Sequence, residues 1–347
     1  MSERPRLLAL STAVPPYTLD QRAVCARVAH ALGGRLDVEK LLPVFGNAGI
    51  ERRYSCVPIE WYERTHGWAE RTRLFIDNAV ALLERITLDC LDEAGLRRED
   101  LDAIVVASTT GIATPSLDAL LIERLGLRRD IRRLPIFGLG CAGGVTGLAR
   151  AVDLARATPG SRVLFLVVEL CALTFRRDDF DRSNIVATAL FGDGAAGAIV
   201  SSDGDGPAFG PAGEHTWPDS LGIMGWDVRD DGLKAIFAQS IPGLIENGLR
   251  VVFDDYLARN DRCISSVDGF ACHPGGAKVL DALEDSLELQ RGSLEDSRAT
   301  LRDYGNMSAA TALFVLQRMK ARLATQSTLL SALGPGFSAS FLMLDGR

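Results

Sequence analysis

No segment of the sequence comes near the ~18 consecutive apolar residues that a membrane-spanning helix needs. Its strongest apolar run, residues 163–168, is stopped at once by Glu169. Cysteine is sparse and unpatterned: seven residues, at 25, 56, 90, 141, 171, 263 and 272, with no CxxC among them. That argues against a disulfide framework and a zinc site, and for a reducing, cytoplasmic compartment. The four histidines, at 30, 66, 215 and 273, share no HxxxH spacing, so no metal site is expected. Long Lys or Arg runs are missing too, and 38 basic against 45 acidic residues leave a net charge of −7. Without a basic stripe, nucleic acid is not the expected partner. An anionic thioester held by a local cluster remains compatible with that charge. Near the start, the apolar stretch 7–10 is too short for a secretory signal and reads as a first strand.

The composition is that of a globular chain: 347 residues, 47% apolar and 24% charged. Helical and strand periods alternate along it, which predicts an α/β architecture. Residues 71–96 place Phe75, Ala79, Leu82, Leu83, Ile86 and Leu91 at helical spacing, with Gly95 as C-cap. Strands are expected at 102–108, 134–137, 162–169 and 195–200, and helices at 115–127 and 145–157. Residues 201–217 hold six Gly or Pro and read as a loop between two halves, 1–200 and 201–347. Beyond it, helices are expected near 242–257, 277–287 and 308–323, and strands at 267–272, 328–333 and 338–344.

Three positions carry chemistry. Cys141 lies in Gly138-Leu139-Gly140-Cys141-Ala142-Gly143-Gly144, between a strand and a helix. Free N–H groups at a helix N-terminus favour thiolate, and the glycines admit a substrate closely. Gly138, Gly140 and Gly143 also satisfy GxGxxG, a dinucleotide fingerprint, and Glu169 ends the next strand. That rival reading, a nicotinamide-dependent oxidoreductase, is the weaker one: Glu169 lies 26 residues past Gly143, against the ~20 of the fingerprint. The second position is His273, at a strand end before Pro274-Gly275-Gly276; the third is Asn306, in Tyr304-Gly305-Asn306-Met307-Ser308 before a helix. Alone, Cys141 fits a small buried side chain, His273 a structural histidine, and Asn306 or Ser308 a helix cap. Together they supply a nucleophile, a base and an amide donor. Such a set suits acyl transfer from a thioester, with an enolate stabilised during decarboxylation.

Several motifs at once resemble one family. They are Gly140-Cys141-Ala142-Gly143-Gly144, Ala189-Leu190-Phe191-Gly192-Asp193-Gly194-Ala195-Ala196, His273-Pro274-Gly275-Gly276, Tyr304-Gly305-Asn306-Met307-Ser308 and Gly334-Pro335-Gly336-Phe337. The chain resembles the type III polyketide synthases, the chalcone synthase-like branch of the thiolase-fold condensing enzymes, over nearly its whole length. Initiating ketoacyl-carrier-protein synthases share Cys, His and Asn but follow their His with Gln-Ala-Asn. Thiolases need a second catalytic Cys, and none follows Cys272 here.

The resemblance implies a five-layer αβαβα fold of two similar halves and a homodimer. It implies Cys141 as nucleophile, with His273 and Asn306 as activating and enolate-stabilising partners. No metal or redox cofactor is implied; malonyl-CoA and an acyl-CoA are the substrates, with an acyl carrier protein as an alternative donor of the starter. Phe191 matches one of two aromatic residues guarding the plant site, and Ala235 replaces the other. Trp226 stands where plant enzymes carry a small cavity residue. Cys171 and Thr174 match cavity threonines, Thr114 matches a residue that reaches the partner's site, and Ser308 belongs to the substrate pocket. The plant CoA-binding basic residues are not matched around Pro43 and Asn47, which leaves Arg52, Arg53 and Lys278 as phosphate candidates. Segments 109–118, 168–175 and 222–228 resemble bacterial alkylresorcinol and alkylpyrone synthases, which take long fatty acyl starters.

Overall fold

The computed structural model describes residues 4–32, 40–238 and 240–346. The outermost residues of the two expected halves, 1–3 and 347, lie outside these. The first part of the chain runs β1 (Arg6–Ala13), β2 (Tyr17–Asp20), α1 (Gln21–Leu32), α2 (Pro43–Asn47), β3 (Arg52–Ser55), α3 (Trp68–Ala94), β4 (Ala103–Ala107), α4 (Leu117–Leu125) and β5 (Arg132–Ile136). It continues with α5 (Gly143–Ala157), β6 (Val163–Leu170), α6 (Arg182–Leu190), β7 (Asp193–Ser201), β8 (Ala208–Thr216), β9 (Met224–Arg229) and β10 (Gly232–Phe237). The last part holds α7 (Ile241–Ala258), β11 (Gly269–Cys272), α8 (Ala277–Ser286), α9 (Glu295–Tyr304), α10 (Thr311–Leu323), β12 (Ser327–Gly334) and β13 (Ser338–Asp345).

Nine strands form one mixed sheet in the order β11-β12-β13-β8-β1-β7-β6-β4-β5. Side chains alternate across a strand, and here both faces are apolar. On β4 and β6, Ile104, Val106, Leu164 and Leu166 face α3 and α4. Ala103, Val105, Phe165 and Val167, between them, face α5 and α10. Along β12 and β13, Leu330 and Leu342 join that same helix pair, while Leu329, Phe341 and Met343 turn to α7 and α8. Helices α5 and α10 are therefore sandwiched between the two wings of the sheet, with a further helix layer outside each wing. This is the layered αβαβα arrangement.

Residues 201–217 are a loop only at their start. β8 pairs along its length with β13 and touches β1 through Arg6 and Ala208, joining the two wings. Its Gly and Pro residues do not break it: Gly210 and Pro211 fall at a bulge in the register with β13, between Leu342 and Leu344, where the missing proline N–H is tolerated, and Tyr256 lies against the Gly213 backbone and donates its hydroxyl proton to the Pro211 carbonyl at 2.7 Å. Helices α1, α2, α6 and α9, the two-stranded sheet β2–β3 and the hairpin β9–β10 have no counterpart in the sequence reading.

Candidate active site

Cys141 sits in a single 3-10 turn, Gly140–Ala142, that runs straight into α5. The turn is wedged between two other segments. A Cβ at Gly140, whose φ is +47°, would lie 2.5 Å from the Pro335 ring, and one at Gly144 would lie 2.1 Å from the Ala309 carbonyl oxygen. Only glycine permits those approaches. The thiol is 9% exposed, with Sγ 3.5 Å from Ser308 Oγ.

Ser308 holds φ +46°, a conformation that costs a non-glycine residue about 1–3 kcal/mol. It is pinned from both sides. Its N–H donates to Asn306 Oδ1 at 2.8 Å, and its carbonyl accepts the Thr311 hydroxyl at 2.9 Å. Asn306 therefore does cap the turn before α10, through its oxygen. Its Nδ2 donates to the Gly275 carbonyl at 3.2 Å, which leaves one amide hydrogen for a ligand. Gly275 stands two residues past His273, so a continuous set of contacts leads from Cys141 through Ser308 and Asn306 to the His273 turn. The His273 backbone N–H donates to the Ser331 carbonyl at 2.8 Å, while both ring nitrogens are buried without a hydrogen-bond partner among the described residues.

Burial pushes the Cys141 thiol up to about 12, against the Ser308 hydroxyl and a backbone hydrogen bond, which pull it down. Burial likewise drives His273 down to about 4. Each charge is costly alone; as a contacting pair, each would supply the other's counter-charge.

Glu169 does not serve a nucleotide. It is wholly buried and accepts the N–H groups of Thr109 and Thr110 and the Thr110 hydroxyl, at 2.7–3.2 Å. Thr109 Oγ1 in turn accepts the Gly140 N–H at 3.0 Å. Gly140 and Gly143 of the GxGxxG match are thus packed inside the protein, Gly140 braced through Thr109 by this acid, while Gly138 stands exposed.

A cavity of about 630 Å³ opens beside the turn. Phe191, Cys171, Thr174 and Ala235 line its inner part; Arg27, Glu63 and Arg177 stand at its solvent end. Cys141, His273 and Asn306 are not on its wall, but Phe191, which is, forms a β-bridge with Asn306. Trp226 and Ala235 are direct cross-strand partners on β9 and β10. The Trp226 ring centroid lies 5.7 Å from that of Phe191. Phe237, 5.6 Å from the same ring, was missed by the sequence reading. It lies two residues beyond Ala235 on β10, and that period-2 step was its available signal.

The phosphate candidates divide. Arg53 is 2% exposed, with Nη1 donating to the Thr188 and Phe191 carbonyls, so it is an internal brace and not a phosphate ligand. Arg52 is exposed, 3.8 Å from Asp303. Lys278 is exposed at the start of α8, and Thr114 is exposed in the loop before α4.

Comparison with known proteins bears on the whole chain. The chalcone and stilbene synthase N-terminal domain matches residues 3–204, and the C-terminal domain of the same family matches residues 211–345. The chain is 37% identical to a 1,3,6,8-tetrahydroxynaphthalene synthase of Streptomyces peucetius subsp. caesius, over 97% of this chain and 92% of that protein. It is 33% identical to a putative chalcone synthase of Bacillus subtilis strain 168, over 98% of each. The crystal structure of 1,3,6,8-tetrahydroxynaphthalene synthase from Streptomyces coelicolor A3(2), a bacterial type III polyketide synthase, superposes with a TM-score of 0.94. That match has 28% identity and covers 98% of this chain and 99% of the other. The chain belongs to the chalcone and stilbene synthase family and is a type III polyketide synthase, a decarboxylating condensing acyltransferase with a thiolase-like fold.

Proposed function

We propose that this synthase loads a long fatty acyl starter on Cys141, extends it with malonyl-CoA and releases an alkylresorcinol or alkylpyrone. The cavity carries this reading: about 630 Å³, apolar at its inner end, within the ~300–1,000 Å³ usual for small-molecule sites. In the reaction, Cys141 passes its proton to His273 and Sγ attacks the thioester carbonyl, expelling the carrier thiolate. Malonyl-CoA then loses CO₂. The electron pair left behind forms an enolate whose oxygen accepts from His273 and from the free Asn306 amide hydrogen. The enolate carbon attacks the acyl carbonyl and Cys141 leaves as thiolate. These side chains supply the chemistry without a metal or redox cofactor.

The starter arrives on CoA, with Arg52 and Lys278 as surface contacts for its phosphates. The protein works in the cytoplasm as a homodimer. Thr114 stands exposed beside Ile112, and Phe137, at the end of the edge strand β5, is exposed as well. That patch suits a second copy of the chain.

Product mass spectrometry over acyl-CoA starters of increasing length, with an acyl-carrier-protein arm, tests the reading. Peptide mapping after acyl-CoA alone should place the acyl group on Cys141. Alkylated rings growing with the starter are expected; one tail-less product from every starter would refute it. The 37% identity to a tetrahydroxynaphthalene synthase supports that outcome as the second reading, a polyhydroxynaphthalene without an alkyl chain.

A further inference from the structure

Two buried ionisable side chains at the inner end of the cavity, one of them, Arg53, on its wall, have no part in the chemistry just described. Asp193, at the start of β7, is fully buried and accepts the Ala172 N–H through Oδ1 at 2.8 Å and the Cys56 N–H through Oδ2 at 2.9 Å. Arg53, on β3, holds the carbonyls of Thr188 and Phe191 through a single nitrogen, the latter at 3.0 Å. Its stem closes against Gly192 and Gly305, where no Cβ would fit. Four segments far apart in sequence, at 53–56, 171–172, 188–193 and 305, thus converge on these two side chains.

A buried carboxylate without donors would be strongly unfavourable. The two N–H bonds to Asp193 therefore dictate where residue 172 sits relative to residue 56. Cys171 precedes one anchor and Phe191 is the other, and both face the cavity. The opposite charges also favour each other across the segment.

We infer that Asp193 and Arg53 are a pair of positioning residues that set the inner cavity wall, Cys171 and Phe191, and through it the choice of acyl starter. The starter half rests on the function proposed above; the placement of the wall does not.

Asp193→Asn keeps the side-chain size but replaces one acceptor oxygen with a donor. In a Cys141→Ala background, iodoacetamide should alkylate Cys171 about tenfold faster, the size of one lost charge-assisted hydrogen bond. Cys90, buried on α3, should react as before. With Cys141 intact, KM for a long acyl-CoA should rise by a similar factor while kcat changes less. Arg53→Lys, which keeps the charge but gives up the planar guanidinium whose Nη1 reaches both carbonyls, should act the same way and serves if Asp193→Asn does not fold. Unchanged Cys171 reactivity overturns the inference, and so does a parallel rise at Cys171 and Cys90, which marks general loosening. A flat response of the unaltered enzyme to starter length, with Cys171 still exposed in the variant, overturns the selectivity and the proposed starter together and leaves the wall placement standing.

Discussion

The Cys141 turn and the cavity wall are built on opposite plans. At the turn, backbone meets rigid atoms: Gly144 against the Ala309 carbonyl, Gly140 against the Pro335 ring. At the wall, rings and small side chains meet: Phe191 with Trp226 and Phe237, and Cys171 with Ala235. A backbone contact cannot shrink or rotate away, whereas a side-chain contact can be traded for another of similar volume. The turn is therefore held rigid, and on the function proposed above the wall is the part free to vary what is made.

The harshest challenge to that contrast is a single methyl group. Gly144→Ala puts a Cβ 2.1 Å from the Ala309 oxygen, and neither side is a flexible chain end. The loss of stability should reach or exceed the top of the ~1–3 kcal/mol range of overpacked cores, with condensation abolished. Thermal unfolding and a malonyl-CoA turnover assay check this. A stable, active Gly144→Ala protein would mean the turn is as adaptable as the wall.

Next in size is the division of labour at the site. Asn306→Ala should lower malonyl decarboxylation by the ~10²–10³ typical of a lost oxyanion donor, while Cys141 still accepts an acyl group. Asn306→Asp sharpens the test. It keeps an oxygen for the Ser308 N–H but sets a negative charge near the enolate, so Ser308 stays placed and decarboxylation still fails. His273→Ala should slow both steps and shift Cys141 alkylation to higher pH, because the thiolate loses its cationic partner. Equal acylation losses in His273→Ala and Asn306→Ala would sink the distinction.

How much of this was readable beforehand follows the same divide. Cys141, His273 and Asn306 each sit in a short glycine-rich stretch whose tight packing is written locally, so they stand out in the sequence. The alternation of strands and helices was readable for the same local reason. Long-range partners were not. Arg53 looked like a surface cation because nothing near it reveals the Thr188 and Phe191 carbonyls that bury it. β8 looked like a loop because its Gly and Pro residues are licensed by a bulge against β13 and by Tyr256, both more than forty residues on. Trp226 and Ala235 could be placed by counting back from Pro242, yet their direct pairing needs the hairpin itself.

A smaller effect probes the acid that braces the turn. Burial raises Glu169 to about 7, so the folded chain keeps a proton that the unfolded chain releases above about pH 4.5. The folded state thus binds more protons from about pH 4.5 to 7, and stability falls as pH rises through that window. Asp193, also raised to about 7, contributes with the same sign. Glu169→Gln should remove its share of the slope in urea unfolding between about pH 5 and 8, leaving the Asp193 share. An unchanged slope would mean that Glu169 stays ionised in its threonine cradle.

The mildest effects belong to the wall, where stability should barely move and products should. Ala235 is 8% exposed and lines the cavity opposite Cys171 and Phe191. A ring there removes room that an alkyl chain would fill at ~0.8 kcal/mol per buried CH₂. Ala235→Phe should therefore shift starter preference to shorter acyl chains, read as the ratio of kcat/KM between long and short acyl-CoAs. Trp226 acts differently: it does not line the cavity itself but packs on Phe191 from the neighbouring strand, and through that ring would narrow the space where a poly-β-keto chain folds. A folded chain closes carbon to carbon and gives a resorcinol; a slack one closes oxygen to carbon and leaves as a pyrone. Trp226→Gly should move the product ratio towards pyrones with starter loading unchanged. If Trp226→Gly instead lowered stability and left the ratio alone, Trp226 would be hairpin packing only, and the freedom to vary the product would rest on Ala235 and its facing residues.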